Sequence, residues 1–302
     1  MSNNKLTIGI PVYNEGQFLE EALQSLLNQD FQDFIVVIAD NCSTDNSWEI
    51  IQKYCSKDNR ITAFQQKCNL GMFENWRCLL DHCKTSYFMW LGGHDFLAPD
   101  FLKTCIEAHE RNPEIALAFT GVHCVDFNSK ILLPEDPLYT EFNDDLDSTK
   151  CQTQLEAWVK VMDGAHSCSS IQGVFNFSML EKAEVRKIFS LDTLILFTIS
   201  QFGDIYIDKS KKGYFRRIAP KRADIYDNSK EATKHFKQIG LIDPNVRDIY
   251  LQLGHNFFKV IKNCSSIGWQ EKLKSSWYVY YTLGKRKGFW NPFYYWFYRS
   301  KN

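Results

Sequence analysis

Short apolar runs rich in β-branched residues alternate with helical patterns along the first 120 residues. LTIGIPV (6–12) is apolar almost throughout and runs into a polar turn, as a strand buried on both faces should. Phe18, Leu19, Ala22, Leu23, Leu26 and Leu27 then recur at helical spacing along one face. FIVVIAD (34–40) predicts a second buried strand, and Trp48, Ile51 and Tyr54 predict a helix over 44–54. Three more strands are predicted at ITAFQ (61–65), SYFMWL (86–91) and IALAFTG (115–121). Phe73, Trp76, Leu79, Leu80 and Cys83 mark a helix between the first two of these, and another helix follows Pro99. Strand and helix in alternation imply an α/β fold with a mostly parallel sheet covered on both faces. In such sheets ligands collect at the carboxyl ends of the strands.

Past residue 125 the pattern breaks. LLPEDPLYTEFNDDLDSTK (132–150) is acidic, lacks apolar periodicity and reads as a surface loop or lid. Helical patterns resume at 151–163 and 192–202, and IYIDKSKKGYFRRIAPKR (205–222) reads as one or two strands with a basic loop. From Lys230 the chain looks helical again. The expected parts are therefore 1–125, 126–229 and 230–302.

Composition narrows the function. A hydrophobic content of 44% is enough for a real core, and 35 basic against 36 acidic residues give a net charge of −1. That balance argues against a nucleic-acid partner held by global electrostatics. The ten cysteines form no CxxC pair, and the Cys78/Cys83 spacing matches no structural zinc site, so free thiols in a reducing cytosol are the simplest reading. MSNNKLTIGIPVYNE has no signal-peptide apolar core, and no run of 18 apolar residues is present, so a cytoplasmic location is expected. From Trp277 onward there are twelve aromatics, five Lys or Arg and no acidic residue. Such a segment suits peripheral contact with a membrane surface, and it equally suits an aromatic closure of the domain or of a dimer.

Three polar clusters fall at predicted strand ends: Pro11-Val-Tyr-Asn-Glu15, Asp40-Asn-Cys-Ser-Thr-Asp45 and Gly93-His94-Asp95. A tyrosine can stack on a base, a carboxylate can accept from a base N–H, and an acidic cluster can hold a divalent cation against phosphates. No GxGxxG follows the first strand and no GxxxxGK[ST] occurs, which argues against a dinucleotide dehydrogenase and a P-loop NTPase.

IGIPVYNEGQFLEEALQSLLNQ, then VVIADNCSTDNSWEII, NLGMFENW and WLGGHDF, resembles a family 2 glycosyltransferase with the GT-A fold, of the bacterial surface-polysaccharide type. The resemblance is clear over 5–125 and looser to 225. It implies an inverting transfer of a sugar from a nucleotide donor, UDP-linked, to a glycan or polyprenyl-diphosphate-linked acceptor. By the same resemblance 1–125 would be the nucleotide-sugar half, 126–229 the acceptor half and 230–302 a helical extension. Pro11, Tyr13 and Glu15 match the family's first nucleotide-binding strand end, with Tyr13 on the base. Asp40 matches the carboxylate that reads the uracil edge, and Asn69 and Gly71 match the N-x-G turn below the nucleotide. Asp95 matches the carboxylate expected to hold Mn²⁺ or Mg²⁺, Asp192 the base that deprotonates the acceptor hydroxyl, and Arg216 or Arg217 a diphosphate or acceptor contact.

Several residues carry a second reading. Thr44 and Asp45 could cap the following helix, and Asp192 could cap a helix over 193–202 that Gly203 ends. Asp204 is the next candidate base. His94 stands where the family often has Asp; it could contact the ribose, ligate the metal or pack at the sheet edge. A degenerate transferase that binds a sugar nucleotide without turning it over is the alternative function.

Overall fold

The computed structural model describes residues 4–136, 146–164, 170–183, 191–218 and 249–286, with positions 234 and 237. In chain order the elements begin β1 (Leu6–Val12), α1 (Leu19–Leu27), β2 (Phe34–Asp40), α2 (Ser47–Lys57) and β3 (Ile61–Gln65). They continue as α3 (Met72–Arg77), a 3-10 turn (Cys78–His82), β4 (Tyr87–Trp90), β5 (Phe96–Leu97), α4 (Phe101–Arg111) and β6 (Ile115–Val125). Then come α5 (Gln154–Gly164), β7 (Val174–Asn176), α6 (Phe177–Leu180), α7 (Leu191–Ile199), β8 (Asp204–Arg217), α8 (Ile249–Asn263) and α9 (Trp269–Arg286).

One eight-stranded sheet runs in the order β3-β2-β1-β4-β7-β6-β8-β5. β1 pairs in parallel with β2 and β4, β2 with β3, and β6 with β8. β7 runs antiparallel between β4 and β6, and β5 antiparallel on the edge of β8. The α/β reading of the apolar pattern therefore holds, with two short strands added. β7 has three residues and β5 two, too few to display an apolar period of their own. The central strands are buried on both faces: Leu6, Ile8 and Ile10 of β1, Val36 and Ile38 of β2 and Ala116 to Ala118 of β6 are fully inaccessible. Each buried aliphatic side chain of this kind contributes about 2 kcal/mol of transfer free energy.

One expected helix is cut in two. The apolar spacing from Phe73 to Cys83 predicts a single helix, but α3 stops at Arg77 and tightens into the 3-10 turn. Trp90 stacks on Trp76 at 3.7 Å, and its indole N–H donates to the Trp76 carbonyl at 3.1 Å. An α-helix would offer that carbonyl to residue 80, so the tertiary bond competes with the helical one.

Arg217, the last residue of β8, binds the sheet to the turn after β6. Its side chain is 3% exposed and lies over the Phe18 ring at 4.2 Å. Nε donates to the His94 carbonyl, Nη1 to the Asp126 carbonyl, and Nη2 to Glu21 Oε2 and Ser129 Oγ. Four of the five guanidinium protons are thereby used inside the fold. Arg217→Ala would take the partner from the His94 carbonyl and the charge from Glu21, which with the Asp126 carbonyl keeps Ser129, and stability in urea should fall by about 2–3 kcal/mol. A fall below about 1 kcal/mol would show that the clamp is replaceable by water.

Candidate functional site

The first two polar clusters form one structure because β1 and β2 are parallel neighbours with Val12 opposite Asp40. Past that register the two turns are stitched together. The Asn14 N–H donates to Ser43 Oγ (2.9 Å), and Asn14 Oδ1 accepts the Thr44 N–H (2.8 Å). The Glu15 N–H donates to Ser47 Oγ (2.9 Å) and the Gly16 N–H to Asp45 Oδ2 (3.0 Å). Asn14 is held at φ 55 and Cys42 at φ 62, left-handed conformations that the crossing bonds maintain. A Cβ on Gly16 would lie 1.9 Å from Asn46 Oδ1, so any other residue here would push the Asn46 amide aside. Asp45 also accepts the Ser47 N–H (3.0 Å), but the N-cap position of α2 is Asn46, so Asp45 ties the first helical residue to the stitch from one place before the cap. Pro11 lies in β1 opposite Ala39, and the Tyr13 side chain stands 45% exposed just beyond the strand end.

Asp40 is buried at the end of β2. Its Oδ2 accepts from Gln65 Nε2 (2.8 Å) and the Ser43 N–H (3.1 Å), and its Oδ1 from the Ser43 hydroxyl. Asn41 and Asn69 close the floor. Asn41 Nδ2 donates to Asn69 Oδ1 (2.8 Å), which also accepts the Gly71 N–H (2.8 Å), while the Leu70 N–H donates to Asn41 Oδ1. Gly71 takes φ 85 with open space where a Cβ would be, so its glycine answers a backbone demand and not a packing one. Asn75, 2% exposed, donates to the Ala39 carbonyl (2.8 Å) and leaves its own Oδ1 without a partner.

The third cluster separates its two polar side chains. Asp95 is 1% exposed: Oδ2 accepts the Tyr214 hydroxyl (2.7 Å) and Oδ1 the Arg217 N–H (2.9 Å). His94 faces the rim instead, with 42% of its side chain exposed and Nδ1 3.0 Å from Glu15 Oε1. Burial pulls the His94 pKa down, but the Glu15 hydrogen bond and the charges of Asp95 and Glu15 together outweigh it, so the value is raised. Desolvation and the facing Asp95 hold the Tyr214 hydroxyl well above its ordinary value, which keeps it a donor. Gly92 and Gly93 border this loop; a Cβ on Gly93 would press against Glu15 at 3.2 Å.

Asp192 lies inside the first turn of α7, not at a cap, and its Oδ1 accepts the N–H of the adjacent Thr193 (2.8 Å). Burial raises its pKa, with that bond and the Arg216 charge opposing. The Arg216 charge bears on His94 as well as on Asp192, so these three groups share one electrostatic neighbourhood. Arg217 is not part of it: its guanidinium is spent in the clamp, which corrects the expectation that it could meet a diphosphate or an acceptor. Asp204 starts β8 opposite Ile115 at the start of β6. β6 runs the same way as β4 through antiparallel β7, so Asp204 sits at the amino edge of the sheet, away from the strand-end clusters. Gly203 follows α7 because its backbone nears Glu114, where a Cβ would come within 2.3 Å of the carbonyl oxygen.

The described residues do not assemble a donor set for the expected metal. Each Asp95 oxygen already accepts a hydrogen bond inside the fold, and His94 and Glu15 on the rim beside it hold each other. Among the described residues no group of three His, Cys, Asp or Glu side chains could hold a metal ion. Tyr214, Gln65 and Asn75 escaped sequence reasoning. Gln65 ends the predicted third strand, Asn75 lies in α3 and Tyr214 inside β8, and only the tertiary contacts turn them toward Asp40, the Ala39 carbonyl and Asp95.

Asp95→Ala strands the buried Tyr214 hydroxyl and Arg217 N–H and should cost about 3 kcal/mol in urea unfolding. The affinity of the ligand-free protein for Mn²⁺, read by calorimetry, should not change; a large loss would restore Asp95 as a ligand. The raised His94 value means its pairing stabilises the fold fully below the unfolded pKa and is lost as pH rises through the folded one. Glu15→Gln should therefore lower the His94 pKa in an NMR titration, and an unchanged value would contradict the pairing.

The profile of "Glycosyl transferase family 2" matches residues 7–161. An uncharacterized glycosyltransferase of Methanocaldococcus jannaschii is 28% identical over 146 residues, 48% of this chain and 50% of the relative. The GalNAc(5)-diNAcBac-PP-undecaprenol beta-1,3-glucosyltransferase of Campylobacter jejuni is 30% identical over 104 residues, 34% of each. This chain matches half or less of the length of these relatives. The structure of S. aureus TarS 1–349 in complex with UDP-GlcNAc superposes with a TM-score of 0.66 at 15% identity, covering 93% of this chain and 73% of that one. The fold is thus that of the GT-A glycosyltransferases. With more than half of its residues inside the matching profile, the chain belongs to glycosyl transferase family 2.

Proposed function

We propose that the protein transfers a sugar from a UDP-linked donor to a glycan or polyprenyl-diphosphate-linked saccharide in surface-polysaccharide synthesis, with inversion at the anomeric carbon. The observation that carries this reading is the stitched pair of turns, which sets the exposed Tyr13 ring one residue beyond the buried Asp40 carboxylate on parallel strands. Tyr13 is the stacking surface for the base, and Asp40, fixed by Gln65 and Ser43, accepts the base N–H. Asn69 and Gly71 shape the floor beneath it. Residues 1–125 would hold the donor and 126–229 the acceptor, with 230–302 as the extension. A lipid-linked acceptor brings the enzyme to the cytoplasmic face of a membrane.

The chemistry follows from charge placement. Arg216 and the imidazolium form of His94 offset the charge that builds on the diphosphate as it leaves. The acceptor oxygen attacks the anomeric carbon from the opposite face, and its proton passes to Asp192. The bond from that carbon to the diphosphate breaks, and UDP departs with the electron pair. Burial raises the pKa of Asp192 and makes it a stronger base than an exposed aspartate. The engagement of both Asp95 oxygens favours the second reading, a protein that binds the donor without turnover.

Asp192→Asn should lower the transfer rate by about 10²–10⁴-fold while UDP affinity changes less than about twofold. Asp204→Asn should leave the rate near normal, and the reverse pattern would overturn the assignment. Because only the carboxylate form accepts a proton, the rate should fall as pH drops through the raised Asp192 pKa. Tyr13→Ala should weaken UDP binding by about tenfold or more, measured by calorimetry. UDP binding that survives in the wild type without release from any of a panel of UDP-sugars would favour the non-catalytic reading.

A further inference from the structure

α9 places its largest apolar side chains on the wrong face for a helix that only packs inward. Its inner side carries Ser275 and Val279, each 1% exposed. Trp269, Leu273 and Trp277 recur every four residues along the outer side, at 69%, 61% and 63% exposure. A lone exposed apolar residue needs no explanation, whereas a two-turn stripe bearing two tryptophans marks a contact surface.

Charge identifies what the surface meets. Residues 269–302 hold seven Lys or Arg against one Glu, a net of +6. The whole chain is −1, so the other residues sum to −7. The single carboxylate of this segment, Glu271, turns inward to accept the Leu155 N–H (3.4 Å), which leaves exposed Lys274 beside the stripe. The aromatic and basic segment expected to meet a membrane runs on through 287–302, outside the described residues. Among the described residues no helix is long and apolar enough to cross a membrane.

We propose that the outer face of α9 docks on an anionic lipid bilayer, with the helix lying in the plane of the interface. Trp269, Leu273 and Trp277 enter the boundary between headgroups and acyl chains, and exposed Lys274 beside them meets the headgroups. A second copy of this chain is the poorer occupant, since it would set +6 against +6. The bilayer has the opposite sign, and the −7 on the rest of the chain turns that part away from the surface and fixes the orientation. This surface deepens the reading of a lipid-linked acceptor by naming the element that meets the lipid, but its readout needs neither donor nor transfer.

The test is co-sedimentation of the full chain with phosphatidylcholine vesicles that contain or lack phosphatidylglycerol. The wild type should bind the anionic vesicles, and binding should weaken with added salt and on phosphatidylcholine alone. Replacing Trp269, Leu273 and Trp277 together by Ala should lower that binding by about tenfold or more, with thermal stability and solution mass unchanged. Trp269→Glu alone should have the same direction and guards against a folding defect in the triple variant. Wild-type protein that ignores anionic vesicles, or variants that bind them normally, would overturn the proposal. So would a change in solution mass or a lowered melting temperature in both variants, because the stripe would then be covered by another copy or by the chain itself.

Discussion

A carboxylate taken out of water must be hydrogen-bonded, and the one at Asp95 organises the site end of this fold. Its two oxygens take a hydroxyl from Tyr214 and a backbone N–H from Arg217, both on β8. Through those bonds the loop after β4 is fixed to a strand more than a hundred residues away in sequence. The Arg217 guanidinium extends the same tie to the His94 carbonyl, to α1 and to the turn after β6. His94 is thereby held at the rim while Asp95 is held beneath it, and the adjacent residues part into an exposed and a buried role.

The donor side depends on a different economy. Two turns from parallel strands donate to and accept from one another through Asn14, Ser43, Thr44 and Asp45, so neither turn keeps its shape without the other. This explains why both polar clusters occur together, about 25 residues apart, and why the left-handed Asn14 and Cys42 are tolerated. The orphaned Oδ1 of Asn75 lies under the same strand ends and is the remaining unsatisfied group there. Across the rim, the Arg216 charge bears on both His94 and Asp192, which couples the donor side to α7.

The sequence made the central strands legible because each is longer than its period and buried on both faces. β1, β2 and β3 begin and end where the apolar runs do. It made the stitched clusters legible as well, since Asn, Ser, Thr and Asp at a strand end have few uses besides turn and ligand chemistry. β5 and β7 were not legible, because two or three residues carry no period. The split of the Phe73–Cys83 helix was not legible because its cause, the Trp90 indole on the Trp76 carbonyl, is a tertiary bond that overrides propensity.

By itself, then, the sequence determined the α/β alternation, the rim where polar residues collect and the family to which the chain belongs. Those follow from local periodicity and from the order of short motifs, which survive in one dimension. Only the tertiary structure decided which of the charged residues face a ligand. Asp95 and Arg217 look like site residues on the line, and in the fold they satisfy each other's strands from inside. Asp204 resembles Asp192 until the direction of β8 carries it to the opposite edge of the sheet. A carboxylate or guanidinium has the same chemistry in either setting; burial and hydrogen-bond partners, which are contacts between distant segments, assign its role.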